Sequence, residues 1–182
     1  MRFKGVASVP FVHHTPPSDL TDRTNAALAN IYSHIQLPKH PVPVYVLSGS
    51  ECVADVLAAA TPSLWRYYDD RGFGAHVDME ATDPPEINST TQQGEFGIAV
   101  RDRIALIEKR ARLVRQSVSV RIIEIPDLGE MAIWELRDGV SHGFHTGHHP
   151  ENALKEETPE VFYERIAEAS AKTARFQKVP GM

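Results

Sequence analysis

The chain has 182 residues, of which 42% are hydrophobic and 24% charged, and it carries a net charge of −5 at pH 7. These values are typical of one globular domain, here residues 1–182, and the acidic balance argues against general nucleic-acid binding and against anionic membranes. The single cysteine, Cys52, excludes an intramolecular disulfide. Because no apolar stretch reaches the ~18 residues of a membrane span and the first residues do not resemble a signal peptide, we expect a cytoplasmic protein.

The first half of the chain predicts alternating strands and helices. Short, partly β-branched apolar stretches predict strands over 3–12 and 42–47, and a third, shorter strand is expected over 75–81. A helix is predicted over 20–35, where apolar residues recur every three or four positions. A second helix is expected to begin at Ser50, because serine is a favourable N-cap. Its buried face would comprise Val53, Val56, Leu57 and Ala60.

The second half begins with a polar, proline-containing stretch at 82–94, which predicts a loop. The clearest helix follows over 98–116, with an apolar stripe expected to pack into the main core. A hairpin is predicted over 118–137, with glycine in its turn at positive φ, and a second turn is expected at Asp138-Gly139. A last helix should begin at Thr158-Pro159. The stripe of the long helix comprises Val100, Ile104, Ile107, Ala111 and Val114, and the inner face of the last helix comprises Phe162, Ile166, Ala169, Thr173 and Phe176.

This order of elements predicts an α+β fold: a mixed sheet flanked by helices, in a single compact domain with a C-terminal hairpin and helix. The sequence shows no internal repeat and no low-complexity tract.

Four histidines lie close together after the hairpin, at His142, His145, His148 and His149. Imidazole is the commonest metal ligand, and zinc needs three or four such groups. This stretch contains no carboxylate or thiol, and the chain has no HExxH or CxxC motif. We therefore predict a solvated, glycine-containing loop without a structural metal, from which His142 reaches a functional pocket.

Two short motifs in the first third of the chain suggest a ligand. His13-His14-Thr15 ends the first predicted strand, and Tyr45 lies in the second, which ends at Ser48. Over residues 8–60 this arrangement resembles the ADP-ribosyltransferase-like superfamily of the His-Tyr-Glu type. The resemblance implies an NAD-using transferase, in which a histidine binds a ribose, a tyrosine ring stacks on the nicotinamide and a carboxylate stabilises an oxocarbenium-like transition state.

Carried over residue by residue, the resemblance makes His14 and Tyr45 catalytic, with His13, Thr15 and Ser48 as further NAD contacts. The glutamate is open between Glu135, which we select because it lies on a hairpin strand, Glu124 and Glu95. His14, Tyr45 and the glutamate should then share one cleft, with both rings accessible to the ligand.

Two other classes of function compete with this hypothesis. One is a non-enzymatic binding or regulatory domain, linked to toxins, defence or transcription, that takes a small molecule or a protein partner. It is favoured by the absence of a P-loop, a GxGxxG or a GxSxG motif. The other is a metal-dependent hydrolase that uses the histidine loop. The sequence does not indicate an oligomeric state.

Overall fold

The elements of the chain are given by a computed structural model, which describes residues 11–17, 19–29, 40–68, 75–82, 85–91, 95–113, 116–147 and 154–177. In these ranges the helices are α1 (Leu20–Ala29), α2 (Ala54–Ala59), α3 (Glu95–Ala111) and α4 (Pro159–Gln177). The strands are β1 (Val42–Val46), β2 (Leu64–Tyr68), β3 (His76–Glu80), β4 (Glu86–Thr91), β5 (Val118–Ile125), β6 (Glu130–Arg137), β7 (Val140–Thr146) and β8 (Lys155–Glu157). None of these helices is long and apolar enough to cross a membrane.

The eight strands form one mixed sheet in the order β4-β3-β2-β1-β5-β6-β7-β8. Only the central pair, β1 and β5, is parallel, and every other neighbouring pair is antiparallel. The sheet is therefore built from two successive units, each a helix followed by a four-strand meander, which spread outwards from the parallel pair. The predicted α+β fold with a mixed sheet flanked by helices is confirmed.

The helices divide between the two faces of the sheet. On the side called here the α3 face, Val100 and Ile107 pack against Ile122 and Ile133. On the other side, the α4 face, Phe162 and Ile166 pack against the alternate residues of β5, β6 and β7. The helix α1 covers β2 and β3 on this same α4 face. Because successive strand residues point to opposite faces, the central strands β5 and β6 contribute side chains to both cores.

The central and C-terminal elements are the ones predicted best from the sequence. The strand β1, the hairpin of β5 and β6, and the start of α4 at Pro159 agree with expectation. Both turns have the expected backbone, with φ of 64° at Gly129, and 50° and 79° at Asp138 and Gly139. Two successive positive φ values suit the right-handed twist of the paired strands, and Asp-Gly is a favoured pair for them.

The second helix begins later than predicted. The helix α2 starts at Ala54, and Ser50 does not cap it. The carboxylate of Glu51 instead accepts hydrogen bonds from the backbone N–H and the hydroxyl of Ser48, so these residues close a turn of their own. Val53 and Val56 are exposed, and Leu57 is the residue of this short helix that reaches the core.

The polar loop predicted over 82–94 is wrong in part, because residues 86–91 form β4. The described side chains of this edge strand are exposed apart from the partly buried Ile87, so no apolar alternation marks it in the sequence. The histidine loop is likewise wrong in part, since 140–146 form β7. The predicted strand segment 3–10, the helix end at 30–35, and Val114, His148 and His149 lie outside the described residues, as does the side chain of Phe176.

Replacing Ile107 by alanine should lower the free energy of unfolding by about 2–5 kcal/mol, because its side chain is fully buried between α3 and the sheet. Leu106→Ala is the matched control, since this neighbouring side chain on the same helix is exposed. Urea unfolding of the two variants measures the difference. Equal midpoints would contradict the placement of α3. Ile104, also on the predicted stripe, is only partly buried.

Candidate functional site

A buried arginine crosses the α3 face of the sheet. Arg66, on β2, donates two hydrogen bonds to Asp78 on β3, from Nε to Oδ1 at 2.6 Å and from Nη2 to Oδ2 at 2.7 Å. The same Nη2 donates to Glu124 Oε1 on β5 at 2.6 Å. Nη1 points at the sulfur of Met131 on β6, at 3.8 Å. One guanidinium thus joins strands from both halves of the sheet.

This position follows from the register of the strands. Arg66 pairs with Asp78 across β2 and β3, and Asp78 in turn pairs with Ser89 on β4. These three side chains therefore lie in one row on one face, and the Ser89 hydroxyl donates to Asp78 at 2.8 Å. Glu124 reaches the same face from the carboxyl end of β5, beside Val46 at the end of the parallel strand β1.

A cavity of about 640 Å³ opens over this cluster. Its charged and polar lining is Arg66, Asp78, Glu124, Glu80, His76, Asn88, Ser89 and Ser63, with Val46, Leu64 and Pro126 as apolar wall. The lining holds three carboxylates against one guanidinium. Asn88 donates to the carboxylate of Glu80 at 3.0 Å, so the side chains at the rim are also ordered by hydrogen bonds.

The arginine is held in its charged form. Burial opposes the charge of Arg66, but the hydrogen bond to Asp78 and the nearby carboxylates raise its pKa above the ordinary value. The phenol beneath it, Tyr68, is neutral at physiological pH because burial raises its pKa to about 12. Arg66 and Asp78 therefore form a fixed ion pair, and Glu124, which is partly exposed, presents carboxylate to the cavity.

The sequence carries a weak signal of this site, which the predictions above missed. Arg66 interrupts the apolar run Leu64–Tyr68, and Asp78 lies between two apolar residues in 75–81. A charged residue on a buried strand needs a partner of opposite charge, and these two strands are neighbours in the chain. Glu124 was named only as an alternative glutamate, and nothing in the sequence associates it with Arg66.

The predicted catalytic residues His14 and Tyr45 lie on the α4 face, away from the cavity. Tyr45 is 3% exposed, and its ring contacts Trp134 edge-on at 6.2 Å. His14 is half-buried and follows Phe11, which pairs with the first residue of β5, Val118. The segment that carries His14 therefore lies alongside β5, the strand with which β1, the strand of Tyr45, pairs in parallel. The expectation that the Tyr45 ring is accessible to a ligand is wrong.

The selected glutamate is on the opposite face of the sheet from Tyr45. Glu135 pairs with Val120 and lies on the α3 face, whereas Tyr45 contacts the α4-face residue Trp134. The carboxylate of Glu135 accepts hydrogen bonds from His145 Nε2 at 3.2 Å and from Arg137 Nε at 2.9 Å. The expectation that Glu135 shares a cleft with Tyr45 is corrected, because adjacent positions on a strand alternate between faces.

The remaining predicted contacts are also dispersed. His13 stacks on His40, with ring centroids 4.3 Å apart, and Thr15 is exposed. Ser48 lies beyond the carboxyl end of β1 and is engaged with Glu51. Glu95, the last alternative for the glutamate, is exposed at the first residue of α3.

Glu135→Gln should flatten the rise of stability with pH. Burial opposes the charge of Glu135, but hydrogen bonds from His145 and Arg137 hold its pKa below the ordinary value. The unfolded chain then binds more protons than the folded one, so stability from this group is complete above about pH 4.3 and is lost as pH falls through the lowered pKa.

Urea unfolding near neutral pH and at about pH 3 measures this difference. The change in unfolding free energy between the two conditions should be smaller for Glu135→Gln than for the wild type. Glu168→Gln, an exposed carboxylate on α4, should retain the wild-type change. The same change in all three proteins would contradict a lowered pKa.

The histidines of β7 do not converge on a metal. His145 is buried and hydrogen-bonded to Glu135, while His142 is exposed at a bulge and does not line the cavity. Within the described ranges, no group of three or more His, Cys, Asp or Glu side chains is arranged to hold a metal ion. It remains a prediction from the sequence, where the histidine stretch holds no carboxylate or thiol, that protein produced without an affinity tag contains well under one equivalent of zinc by elemental analysis. Stoichiometric zinc retained through dialysis against a chelator would overturn this prediction.

Comparisons of the chain with family models, with curated proteins and with solved structures find no match.

Proposed function

We propose that this protein is a binding domain that takes a small organic cation in the cavity on the α3 face. The observation that carries the proposal is the excess of carboxylate: Asp78, Glu80 and Glu124 line the cavity against the single guanidinium of Arg66. Arg66 is engaged by Asp78 and Glu124, so it neutralises part of this charge without occupying the open space. A ligand that carries ammonium groups would complete the neutralisation.

The dimensions and lining of the cavity suit a small molecule. A volume of about 640 Å³ lies within the range of sites for drug-sized ligands. Val46, Leu64 and Pro126 supply an apolar wall for an aliphatic chain, while Glu124 and Glu80 supply acceptors for ammonium donors. Asn88 and Ser89 add hydrogen-bonding groups at the rim. A binding domain of this kind belongs to the non-enzymatic class of function that the sequence left open.

Thermal melts with a diamine test the proposal. Putrescine should raise the melting temperature saturably, whereas 1,4-butanediol, which has the same chain without charge, should not. At a hundredfold excess over its dissociation constant, a ligand specific for the folded state stabilises it by ~2.7 kcal/mol. Control melts in sodium chloride at the same ionic strength measure how much of the shift in melting temperature comes from screening of the acidic surface.

Glu124→Gln distinguishes binding in the cavity from general attraction to an acidic protein. Glutamine retains an acceptor for Arg66 but removes the charge, so putrescine affinity should fall roughly fivefold, equivalent to about 1 kcal/mol for a charge-assisted hydrogen bond. The control Glu168→Gln removes an equal charge from an exposed position on α4. Equal effects of the two variants, or no saturable shift with putrescine, would overturn the proposal.

NAD belongs in the same series of melts, because the resemblance over residues 8–60 suggests it. Tyr45 is buried and Glu135 points to the other face, so the geometry supplies no support for that function. A saturable rise with NAD that is lost in His14→Ala would favour the transferase hypothesis over the binding domain proposed here.

A further inference from the structure

An arginine that has no carboxylate partner among the described residues lies on the opposite side of the sheet from the cavity. Arg121, on β5, packs its guanidinium over the Trp134 ring, 4.8 Å from the ring centroid, and over the Tyr45 ring at 5.2 Å. The indole N–H of Trp134 donates to the Ser141 hydroxyl at 2.9 Å, which holds this ring in place. The two rings form a rigid platform that fixes the direction of the guanidinium.

The charge of Arg121 is not neutralised by the part of the chain that the structure describes. Its Nε is buried and has no hydrogen-bond partner there, and no carboxylate lies within salt-bridge distance of its guanidinium. Two other guanidiniums that lie against the sheet differ in this respect. Arg66 pairs with Asp78 and Glu124, and Arg165 pairs with Glu130 and Glu157. Since a buried donor without an acceptor is costly, Arg121 is poised to receive an acceptor from outside the chain.

A second buried nitrogen that has no hydrogen-bond partner among the described residues lies near Arg121. The backbone N–H of Val12 donates to the Val118 carbonyl at 2.7 Å, which brings the segment that carries His14 alongside β5. His14 Nε2 is buried and also lacks a hydrogen-bond partner among the described residues. Burial and the nearby charge of Arg121 lower the pKa of His14, so its imidazole is neutral at physiological pH. A neutral imidazole can still donate one hydrogen bond.

We propose that Arg121 and His14 bind an oxyanion, the phosphate or carboxylate group of a small ligand, on the α4 face. Arginine presents a planar set of donors that matches either group, and Arg121 is partly exposed, so the oxyanion can approach it from solvent. The aromatic platform holds these donors in position before binding, so less side-chain entropy is lost when the anion binds. This site is independent of the cation cavity, because the two lie on opposite faces of the sheet.

Nuclear magnetic resonance of the ¹⁵N-labelled protein provides the test. Inorganic phosphate and acetate are titrated separately at fixed pH, with sodium chloride added to hold the ionic strength constant. The Nε–H signal of Arg121 and the indole signal of Trp134 should shift and saturate with at least one of the two anions. Saturation with phosphate alone assigns a phosphate ligand, and saturation with acetate alone assigns a carboxylate ligand.

Variants link the signal to the site. Arg121→Met should lose the saturable shift of the Trp134 indole, whereas Arg112→Met, which removes an exposed arginine of α3, should retain it. His14→Gln should weaken anion binding severalfold while leaving the fold intact. This variant therefore still tests the site if Arg121→Met proves unstable. Shifts that stay linear in concentration for both anions, or that persist unchanged in Arg121→Met and His14→Gln, would overturn the proposal.

Discussion

Replacing Arg66 by methionine should lower the free energy of unfolding by about 3–5 kcal/mol at neutral pH. Methionine retains much of the apolar stem but removes the guanidinium, and Asp78, whose side chain is 3% exposed, then loses its counter-charge. A buried carboxylate without a counter-charge destabilises the fold by more than the ion pair stabilised it. Urea unfolding with linear extrapolation measures the loss.

Two comparisons make this prediction specific. Arg112→Met removes an arginine whose side chain is 75% exposed, and should change stability by less than about 0.5 kcal/mol. Asp78→Asn in the Arg66→Met background should recover part of the loss, because it removes the stranded charge. If Arg66→Met matches Arg112→Met, or if the double variant is as destabilised as the sum of the single ones, the coupling between Arg66 and Asp78 is contradicted.

Replacing Phe162 by alanine should cost about 3–5 kcal/mol, the range for removal of a buried aromatic side chain. Phe162 is 0% exposed and stacks on Phe144 of β7, with ring centroids 3.9 Å apart. The contact joins α4 to the sheet, so its loss leaves a cavity between two rigid elements that collapse only in part. Differential scanning calorimetry or urea unfolding measures the effect.

The neighbouring Val161 supplies the control, since its side chain is 51% exposed on the same turn of α4. Val161→Ala should leave the free energy of unfolding within about 0.5 kcal/mol of the wild-type value. Phe144→Ala combined with Phe162→Ala should cost less than the sum of the two single changes, because each ring packs on the other. Additive effects, or a neutral Phe162→Ala, would contradict the packing of α4 on β7.

The two proposed ligand sites share a structural origin in the parallel pair at the centre of the sheet. Glu124 and Arg121 lie three residues apart on β5, so they point to opposite faces. Glu124 faces the cavity beside Arg66, and Arg121 faces the aromatic platform of Tyr45 and Trp134. A single strand therefore contributes one charged side chain to a carboxylate-rich site and another to a cationic site.

Local patterns in the sequence were sufficient to predict those helices and turns that depend on residues only a few positions apart. The stripe of α3, the Asp138-Gly139 turn and the Thr158-Pro159 start of α4 all depend on neighbouring positions, and each was predicted from the sequence alone. The strand β4 was missed because its pairing with β3, and not an apolar alternation of its own, defines it as a strand.

The sites depend on relations that no local pattern contains. Arg66 and Glu124 are 58 positions apart and meet because β1 and β5 pair in parallel, and His14 comes near Arg121 through a single bridge between Phe11 and Val118. Composition and local patterns establish the residue types, the acidic charge and most helices and turns. Which residues share a face depends on strand pairing, because side chains alternate between faces with a period of two and a shift of one position in register reverses every assignment.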